Sequence, residues 1–256
     1  MHYDYKKGAQ RVDEILSSEI DIKNDSETLP KDDSKFSFSN GYYVWITAIF
    51  VDIRDSSQLF SQAGLENAEE TGKLIRAFTS EIIEILRLPN GDSDFLREIG
   101  IRGDCVYATF STPLKSDILA CADKTFYINT YLNMLNKKLV KLGKPEFKAG
   151  IGMASGQELV LKAGRDHTGI NSKVWIGNAV NRASNLSSLG QSEITSERLF
   201  YSKCAFHNFI AGLKQRNSDK DVDSWFTQYT DDSGNVSQHA GIIKTDFDSW
   251  IENEMN

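Results

Sequence analysis

The order of apolar runs and amphipathic stretches along the chain predicts a sheet with helices packed on it. Residues 42–53 are β-branched, aromatic and nearly uncharged until Asp52, which predicts a buried strand. Alternating and helical apolar spacings follow, and the predicted order is strand 42–53, helix 64–88, strands 95–101 and 105–110, helix 116–142 and strand 147–154. This β-α-β-β-α-β succession predicts an α+β fold of the ferredoxin-like type.

The regions on either side of this pattern are less regular. Residues 9–20 predict a short amphipathic helix, and residues 21–40, rich in Asp, Ser, Asn and Lys, predict a mobile linker. A short strand at 174–176 leads into a helix at about 178–189, and periodicity fades after about residue 200. We therefore predict an N-terminal helix and flexible linker over 1–40, a compact domain over 41–200 and a small C-terminal elaboration of that domain over 201–256.

Composition and charge narrow the class of protein. The chain has 256 residues and a formal net charge of −7, which argues against a surface that binds duplex nucleic acid. Its three cysteines lack metal-ligand spacing, and we expect them to be buried thiols of a cytosolic protein. The N-terminus has no apolar signal core, and no apolar run approaches the roughly 18 residues that a membrane span needs. We therefore expect a cytoplasmic protein without a nucleic-acid or membrane partner.

Two aspartates carry the first candidate chemistry. Asp52 ends the apolar first strand, and Asp104 lies in the turn between the next two strands. Each has a structural explanation, which is exposure or pairing for Asp52 and turn formation for Asp104. In a split βαβ sheet, however, the first strand lies beside the following hairpin, so the two carboxylates converge, as a site for Mg²⁺ or Mn²⁺ requires. The turn after Asp52 can present backbone N–H groups to phosphates, although Asp55 and Ser56 have helix capping as the alternative explanation.

Four motifs resemble those of class III adenylate and guanylate cyclases. Residues 50–57, FVDIRDSS, are similar to the first-strand motif, an apolar run followed by Asp-Ile-x-Gly-Phe-Thr. Residues 99–104, IGIRGD, resemble the hairpin with the second metal-binding Asp, and residues 150–156, GIGMASG, resemble the Gly-Ile-x-x-Gly strand. Residues 176–186, IGNAVNRASNL, resemble Trp-Gly-x-x-Val-Asn-x-Ala-x-Arg-Leu. All four occur in the family's order and spacing.

The resemblance implies an enzyme that converts a ribonucleoside triphosphate into a 3′,5′-cyclic nucleotide and pyrophosphate. It implies two Mn²⁺ or Mg²⁺ ions per active site, held by Asp52, Asp104 and the Ile53 carbonyl. It also assigns Asn181 to orienting the ribose, and it implies a homodimer because the family builds its sites at a dimer interface. The residues of the first motif that it places against the substrate are Phe50, Ile53, Arg54, Ser56 and Ser57.

Two positions of the catalytic motifs depart from the family. Asp55 replaces the phosphate-loop glycine, which predicts a strained or redirected loop. Asn185 stands where the family has a transition-state arginine, and an amide does not replace guanidinium charge. The candidates to supply that charge are Arg182, three residues earlier on the helix, and Arg165, in the loop after Gly164. A surface salt bridge is the alternative explanation for Arg182.

The base-reading positions depart furthest. Gly100 and Val174 occupy the positions where adenylate and guanylate cyclases carry their purine-reading residues. Arg102 and Trp175 flank them and are bulkier than the usual Leu and Ile, which favours a smaller base. Arg102 only donates hydrogen bonds and uracil presents two carbonyl acceptors, so we expect UTP as the substrate. Against this, Gly100 makes room in the pocket, and Arg102 has solvent or Glu98 as alternative partners.

This base pattern is similar to that of the bacterial Pycsar pyrimidine cyclases. The resemblance implies that cyclic UMP serves as an antiphage second messenger and activates a separate effector. The enzymatic alternatives are a cytidylate or an adenylate cyclase. An inactive cyclase-like regulatory dimer is an alternative of another class. Asn185 favours it, and the retained Asp52, Asp104 and Asn181 oppose it. A ferredoxin-like nucleic-acid binder is disfavoured by the acidic balance.

Overall fold

A computed structural model describes residues 2–24, 29–56, 68–89, 95–166 and 168–255. Its helices are α1 (Tyr5–Ser17), α2 (Ala68–Arg87), α3 (Lys115–Lys141), α4 (Ala179–Ser187), α5 (Lys203–Arg216) and α6 (Thr245–Glu254). Its strands are β1 (Asp21–Lys23), β2 (Asn40–Ile53), β3 (Leu96–Arg102), β4 (Cys105–Ser111), β5 (Ala149–Gly164), β6 (Asn171–Ile176), β7 (Leu199–Ser202), β8 (Thr227–Thr230) and β9 (Val236–Ala240). Short 3-10 turns cover Asp33–Lys35 and Val222–Trp225.

The strands form one mixed sheet in the order β3-β4-β2-β5-β7-β9-β8, with β1 beside β2 and β6 beside β5. Strand β2 lies at the centre, antiparallel to both β4 and β5. The succession β2-α2-β3-β4-α3-β5 therefore forms the predicted ferredoxin-like arrangement, and the α+β fold class is confirmed. Residues 64–67 of the predicted second helix and residues 90–94 lie outside the described residues.

Each face of the sheet has its own apolar core because side chains of β2 alternate between the faces. Ile49, Val51 and Ile53 pack with α2, α3 and α5 on one face. Ile46 and Ala48 pack with α4 on the other. Cys121 is buried as predicted, whereas Cys105 and Cys204 are partly exposed. No helix of the described ranges is long and apolar enough to cross a membrane.

Part of the segment predicted as a flexible linker is packed against the domain. Leu29 and Phe36 are only 1% and 4% exposed, and the Leu29 backbone N–H donates to Ser111 Oγ at 2.9 Å. Strand β1 adds to β2 in parallel. The sequence of this segment is typical of a linker because isolated apolar residues such as Leu29 and Phe36 do not recur at the spacing of a helix or a strand. Residues 25–28, in its middle, lie outside the described residues.

The sheet also extends further than the sequence pattern predicts. Strand β5 was predicted to end at Ala154 but continues to Gly164, where it forms a hairpin with β6. Polar residues at 155–158 conceal this continuation in the sequence. Beyond residue 198, β7 pairs in parallel with β5, and β9 and β8 follow. The C-terminal elaboration therefore shares the sheet of the main domain.

Close contact between α4 and β5 sets the position of the helix. A Cβ atom on Gly150 would overlap the Ser187 carbonyl, and one on Gly152 would overlap the Ala183 carbonyl. A Cβ atom on Gly156, in contrast, would lie 3.7 Å from Ala179 Cβ, an ordinary contact. The first two glycines of the GIGMASG motif therefore let the helix backbone lie directly on the strand.

We expect Gly152→Ala to lower the free energy of unfolding by about 2 kcal/mol, because the helix backbone must move to admit the methyl group. Gly156→Ala, in the same strand, is the matched control and should cost less than about 1 kcal/mol. Chemical denaturation of both variants measures the difference. Equal stability of the two would contradict the close approach.

Candidate active site

The carboxylates of Asp52 and Asp104 lie together at one end of the central strands. Asp52 is the residue before the end of β2, opposite Cys105 of β4 and Gly150 of β5. Asp104 directly precedes Cys105 in the β3–β4 turn, where Gly103 has a φ of +62°. The central position of β2 thus brings together the two aspartates that the sequence predicted as partners.

The electrostatics around Asp52 reflect this crowding. Burial raises the pKa of Asp52 above its usual range, the charge of Arg54 opposes that shift, and the charge of Asp104 adds to it. Burial also raises the pKa of Cys105 to about 12, with further contributions from Asp52 and Asp104. The site therefore concentrates negative charge where solvent is partly excluded, and a cation stabilises such an arrangement.

Arg54 supplies a positive charge from within the chain. Its guanidinium pairs with the Asp52 carboxylate and donates to the Ser188 carbonyl at 2.9 Å. Its backbone N–H donates to the Lys148 carbonyl at 2.7 Å. The structure thus places Arg54 against a candidate metal ligand, and its predicted contact with the substrate stays a prediction.

The donor set suits a hard divalent cation. The two carboxylates and the adjacent Ile53 carbonyl are all oxygen donors, as Mg²⁺ and Mn²⁺ prefer. Among the described residues, no group of three or more His, Cys, Asp or Glu side chains is arranged to hold a metal. Two carboxylates nevertheless fit, because Mg²⁺ commonly takes one or two protein carboxylates and completes its shell with water and substrate phosphates.

The turn after β2 has the backbone conformation that a glycine would adopt. Asp55 has a φ of +56°, in the left-handed region. Asp tolerates this region better than most residues, which explains how it can stand where the family has a glycine. Ser56 follows and is partly buried, whereas Ser57 lies outside the described residues.

A tyrosine that the sequence analysis missed occupies the space beside Gly100. Gly100 of β3, Tyr107 of β4 and Phe50 of β2 are direct neighbours across three strands. The rings of Tyr107 and Phe50 stack with centroids 5.5 Å apart, and a Cβ atom on Gly100 would lie 2.8 Å from the Tyr107 ring. Gly100 therefore does not open the pocket, as the sequence suggested, because Tyr107 fills the room. The register of the predicted hairpin was the signal that could have found it.

Arg102 contacts this ring directly, and Trp175 is linked to it through Glu98. The Arg102 guanidinium lies over Tyr107, 5.4 Å from the ring centroid. Glu98 accepts from the Tyr107 hydroxyl and from Trp175 Nε1, both at 2.8 Å. Glu98 is therefore engaged by two rings rather than by Arg102. Val174, next to Trp175, is 37% exposed.

The residues predicted on and near α4 are spread more widely. Asn181 and Asn185 are exposed, as is Arg165 in the β5–β6 loop. Arg182 instead pairs with Asp231, in the β8–β9 turn, at 3.1 Å. This ion pair is the alternative that the sequence analysis left open for Arg182, and the catalytic role of either arginine stays a prediction.

A buried glutamate, also missed from the sequence, holds the start of α4. Glu158 of β5 is fully buried, and its Oε1 accepts from the Ala179 N–H at 2.5 Å. Burial raises its pKa, and hydrogen bonds from the backbone of Ala179 and Val180 oppose that shift. A carboxylate at a helix N-terminus is favourable, so Glu158 helps to place the helix that carries Asn181.

Comparisons with known proteins identify the family and the fold of the chain. No protein-family model matches the chain. The chain is 45% identical over 260 residues to a uridylate cyclase from Treponema porcinum, which covers 100% of this chain and 83% of that protein. It is 34% identical over 223 residues to a uridylate cyclase from Gulbenkiania mobilis, covering 85% of this chain and 83% of that protein. The structure resembles the adenylyl cyclase CyaB from P. aeruginosa, with a TM-score of 0.58, 17% identity and coverage of 78% and 95% of the two chains.

The fold is that of class III nucleotidyl cyclase catalytic domains, a class of enzymes that use divalent metal ions. The sequence similarity shows that the chain belongs to the same family as the two uridylate cyclases. The protein is thus a nucleotide cyclase, as the four motifs implied.

The positive φ of Asp55 predicts how substitutions at this position change stability. Asp55→Ala should lower the free energy of unfolding by about 1 kcal/mol, because alanine disfavours positive φ. Asp55→Gly should be neutral within about 0.5 kcal/mol, since glycine adopts this conformation freely. Denaturant titration of the two variants beside the native protein measures the difference. An alanine variant as stable as the glycine variant would contradict the left-handed turn.

Proposed function

We propose that the protein is a homodimeric uridylate cyclase that converts UTP into cyclic UMP and pyrophosphate, with two Mn²⁺ or Mg²⁺ ions per active site. The names of its relatives support UTP as the substrate. The observation that carries the proposal is the ring of Tyr107, which closes the space at Gly100 beneath Arg102. The stacked rings of Phe50 and Tyr107, with Trp175 linked to them through Glu98, leave less room beside Gly100 and so favour a single-ring base over a purine.

Hydrogen bonding distinguishes uracil from cytosine in the same pocket. Arg102 is exposed, carries only donors and lies at the edge of this ring cluster. Uracil offers two carbonyl acceptors, whereas cytosine replaces one of them with an amino group. A donor that the bound base shields from water and leaves without a partner costs about 1–3 kcal/mol, which is enough for tenfold or greater discrimination.

In the proposed reaction, the ribose 3′-oxygen attacks the α-phosphorus and the bond from that phosphorus to the bridging oxygen of pyrophosphate breaks. The 3′-hydroxyl proton is released to solvent. Divalent cations, when bound, make that hydroxyl more acidic and neutralise charge on the triphosphate. Asp52 and Asp104 hold them, Asn181 orients the ribose, and Arg182 or Arg165 supplies positive charge near the departing pyrophosphate.

A homodimer would bring together groups that one chain keeps apart. Asn181 and Arg165 are exposed in the single chain, as are Val174 and Ile176 of β6, at 37% and 49%. Exposed apolar residues beside predicted catalytic residues are expected where a second copy completes a site. By the resemblance to Pycsar cyclases, we propose that cyclic UMP acts as an antiphage messenger on a separate effector.

Asp104→Asn keeps the turn but removes a carboxylate, so we expect a loss of turnover of about 10³-fold or more. Asp219→Asn, at an exposed carboxylate outside the site, is the control and should keep full activity. Mixing Asp104→Asn with Asn181→Ala protein should restore about a quarter of the wild-type rate, because half of the dimers then contain one intact composite site. No restoration after subunit exchange would rule out a site shared between two chains.

Substrate choice is tested by equimolar competition among ATP, GTP, CTP and UTP with Mn²⁺, followed by mass spectrometry. We expect cyclic UMP to exceed each other product by at least about tenfold. Predominant cyclic AMP would overturn the pocket argument, and predominant cyclic CMP would overturn only the assignment to Arg102. Absence of every cyclic product would favour the inactive regulatory dimer.

A further inference from the structure

The Glu98 carboxylate connects strands β3 and β6, which do not pair with each other. Glu98 belongs to β3, which pairs with β4, while Trp175 belongs to β6, which pairs with β5. Tyr107 donates to Oε1 and Trp175 donates to Oε2, each at 2.8 Å. One carboxylate thereby connects the ring that covers Gly100 to the ring at the far side of the base pocket.

The rings on either side of Glu98 have little freedom while both hydrogen bonds exist. Tyr107 is stacked on Phe50 and lies against the Gly100 backbone. Burial raises the pKa of its hydroxyl, and the hydrogen bond to Glu98 raises it further, so the hydroxyl remains a donor. Only a carboxylate can accept from both rings at once through two equivalent oxygens, because an amide has one acceptor oxygen.

We propose that Glu98 is a positioning residue that sets base selectivity by holding Tyr107 and Trp175 as one rigid wall. The inference rests on the proposed function, since the wall limits the size of the base that the same site accepts. Glu98 acts through the two rings and does not itself read the base. Loss of either hydrogen bond loosens the wall and admits purines.

A second contact between the same strands offers a matched comparison. Lys173, two residues before Trp175, donates to the Arg97 carbonyl of β3 at 3.2 Å and pairs with Asp33 at 2.7 Å. Lys173→Met removes this attachment of β6 but leaves both hydrogen bonds of Glu98. The variant separates a general attachment of the β5–β6 hairpin from the specific positioning of the two rings.

The test measures the ratio of cyclic UMP to cyclic AMP made by the full chain from an equimolar mixture of the four triphosphates. Glu98→Gln and Tyr107→Phe should each lower this ratio about tenfold, and the double variant should lower it no further than the stronger single variant. Lys173→Met, and the exposed controls Glu193→Gln and Tyr43→Phe, should leave the ratio unchanged. A merely structural role would reduce all products equally.

An unchanged ratio in both Glu98→Gln and Tyr107→Phe overturns the inference, as does an equal shift in Lys173→Met. If Glu98→Gln does not fold, Tyr107→Phe decides alone, because it removes only a hydroxyl. If the native protein prefers another base, the assignment of UTP as the substrate is wrong. The role of Glu98 is then tested by whether its variants alter the preference that is observed. If no cyclic product forms, binding is measured instead of turnover. UTP and ATP each raise the melting temperature on binding, and the ratio of the two concentrations that give half of the maximal rise replaces the product ratio.

Discussion

The central position of β2 is the constraint on which the rest of the structure depends. Because β4 and β5 pair with β2 on both sides, the backbone groups of its last residues are hydrogen-bonded to neighbouring strands. Solvent is partly excluded at this end of the strand. A carboxylate at that point is costly unless a cation accompanies it. Arg54 partly meets this need within the chain, and Asp104 increases it. The arrangement that makes the two carboxylates costly in the folded protein suits the divalent cations that Asp52 and Asp104 are predicted to hold.

The helix that carries the predicted ribose-binding residue is placed by backbone contact rather than by side-chain packing alone. Gly150 and Gly152 lack the Cβ atoms that would overlap backbone carbonyls of α4, and Glu158 accepts a hydrogen bond at the first turn of the helix. Close-packed backbones and a buried carboxylate leave few alternative positions. Such rigidity suits a residue that must meet its substrate within a fraction of an ångström.

The C-terminal elaboration takes part in this arrangement. Strand β7 lies beside β5, and the turn between β8 and β9 presents Asp231 to Arg182. Asp231 also accepts from Asn235, which lowers the pKa of its carboxyl together with Arg182. The orientation of Arg182 therefore depends on residues beyond 200, so a domain boundary near that position would separate groups that contact each other.

The sequence by itself determined the elements whose signals are local: β2, the β3–β4 hairpin, α2, α3 and the start of β5. Periodicity and turn residues are set by neighbours in the chain, and the split βαβ order then implied the convergence of Asp52 and Asp104. The register of the predicted hairpin was enough to place Tyr107 beside Gly100, but only the tertiary structure joined Glu98 to Trp175 and Arg182 to Asp231. The latter two pairs are 77 and 49 positions apart, and no local pattern specifies which side chains meet across such distances. The packing of Leu29 and Phe36 was concealed for the same reason, because a buried residue without a period looks like part of a linker.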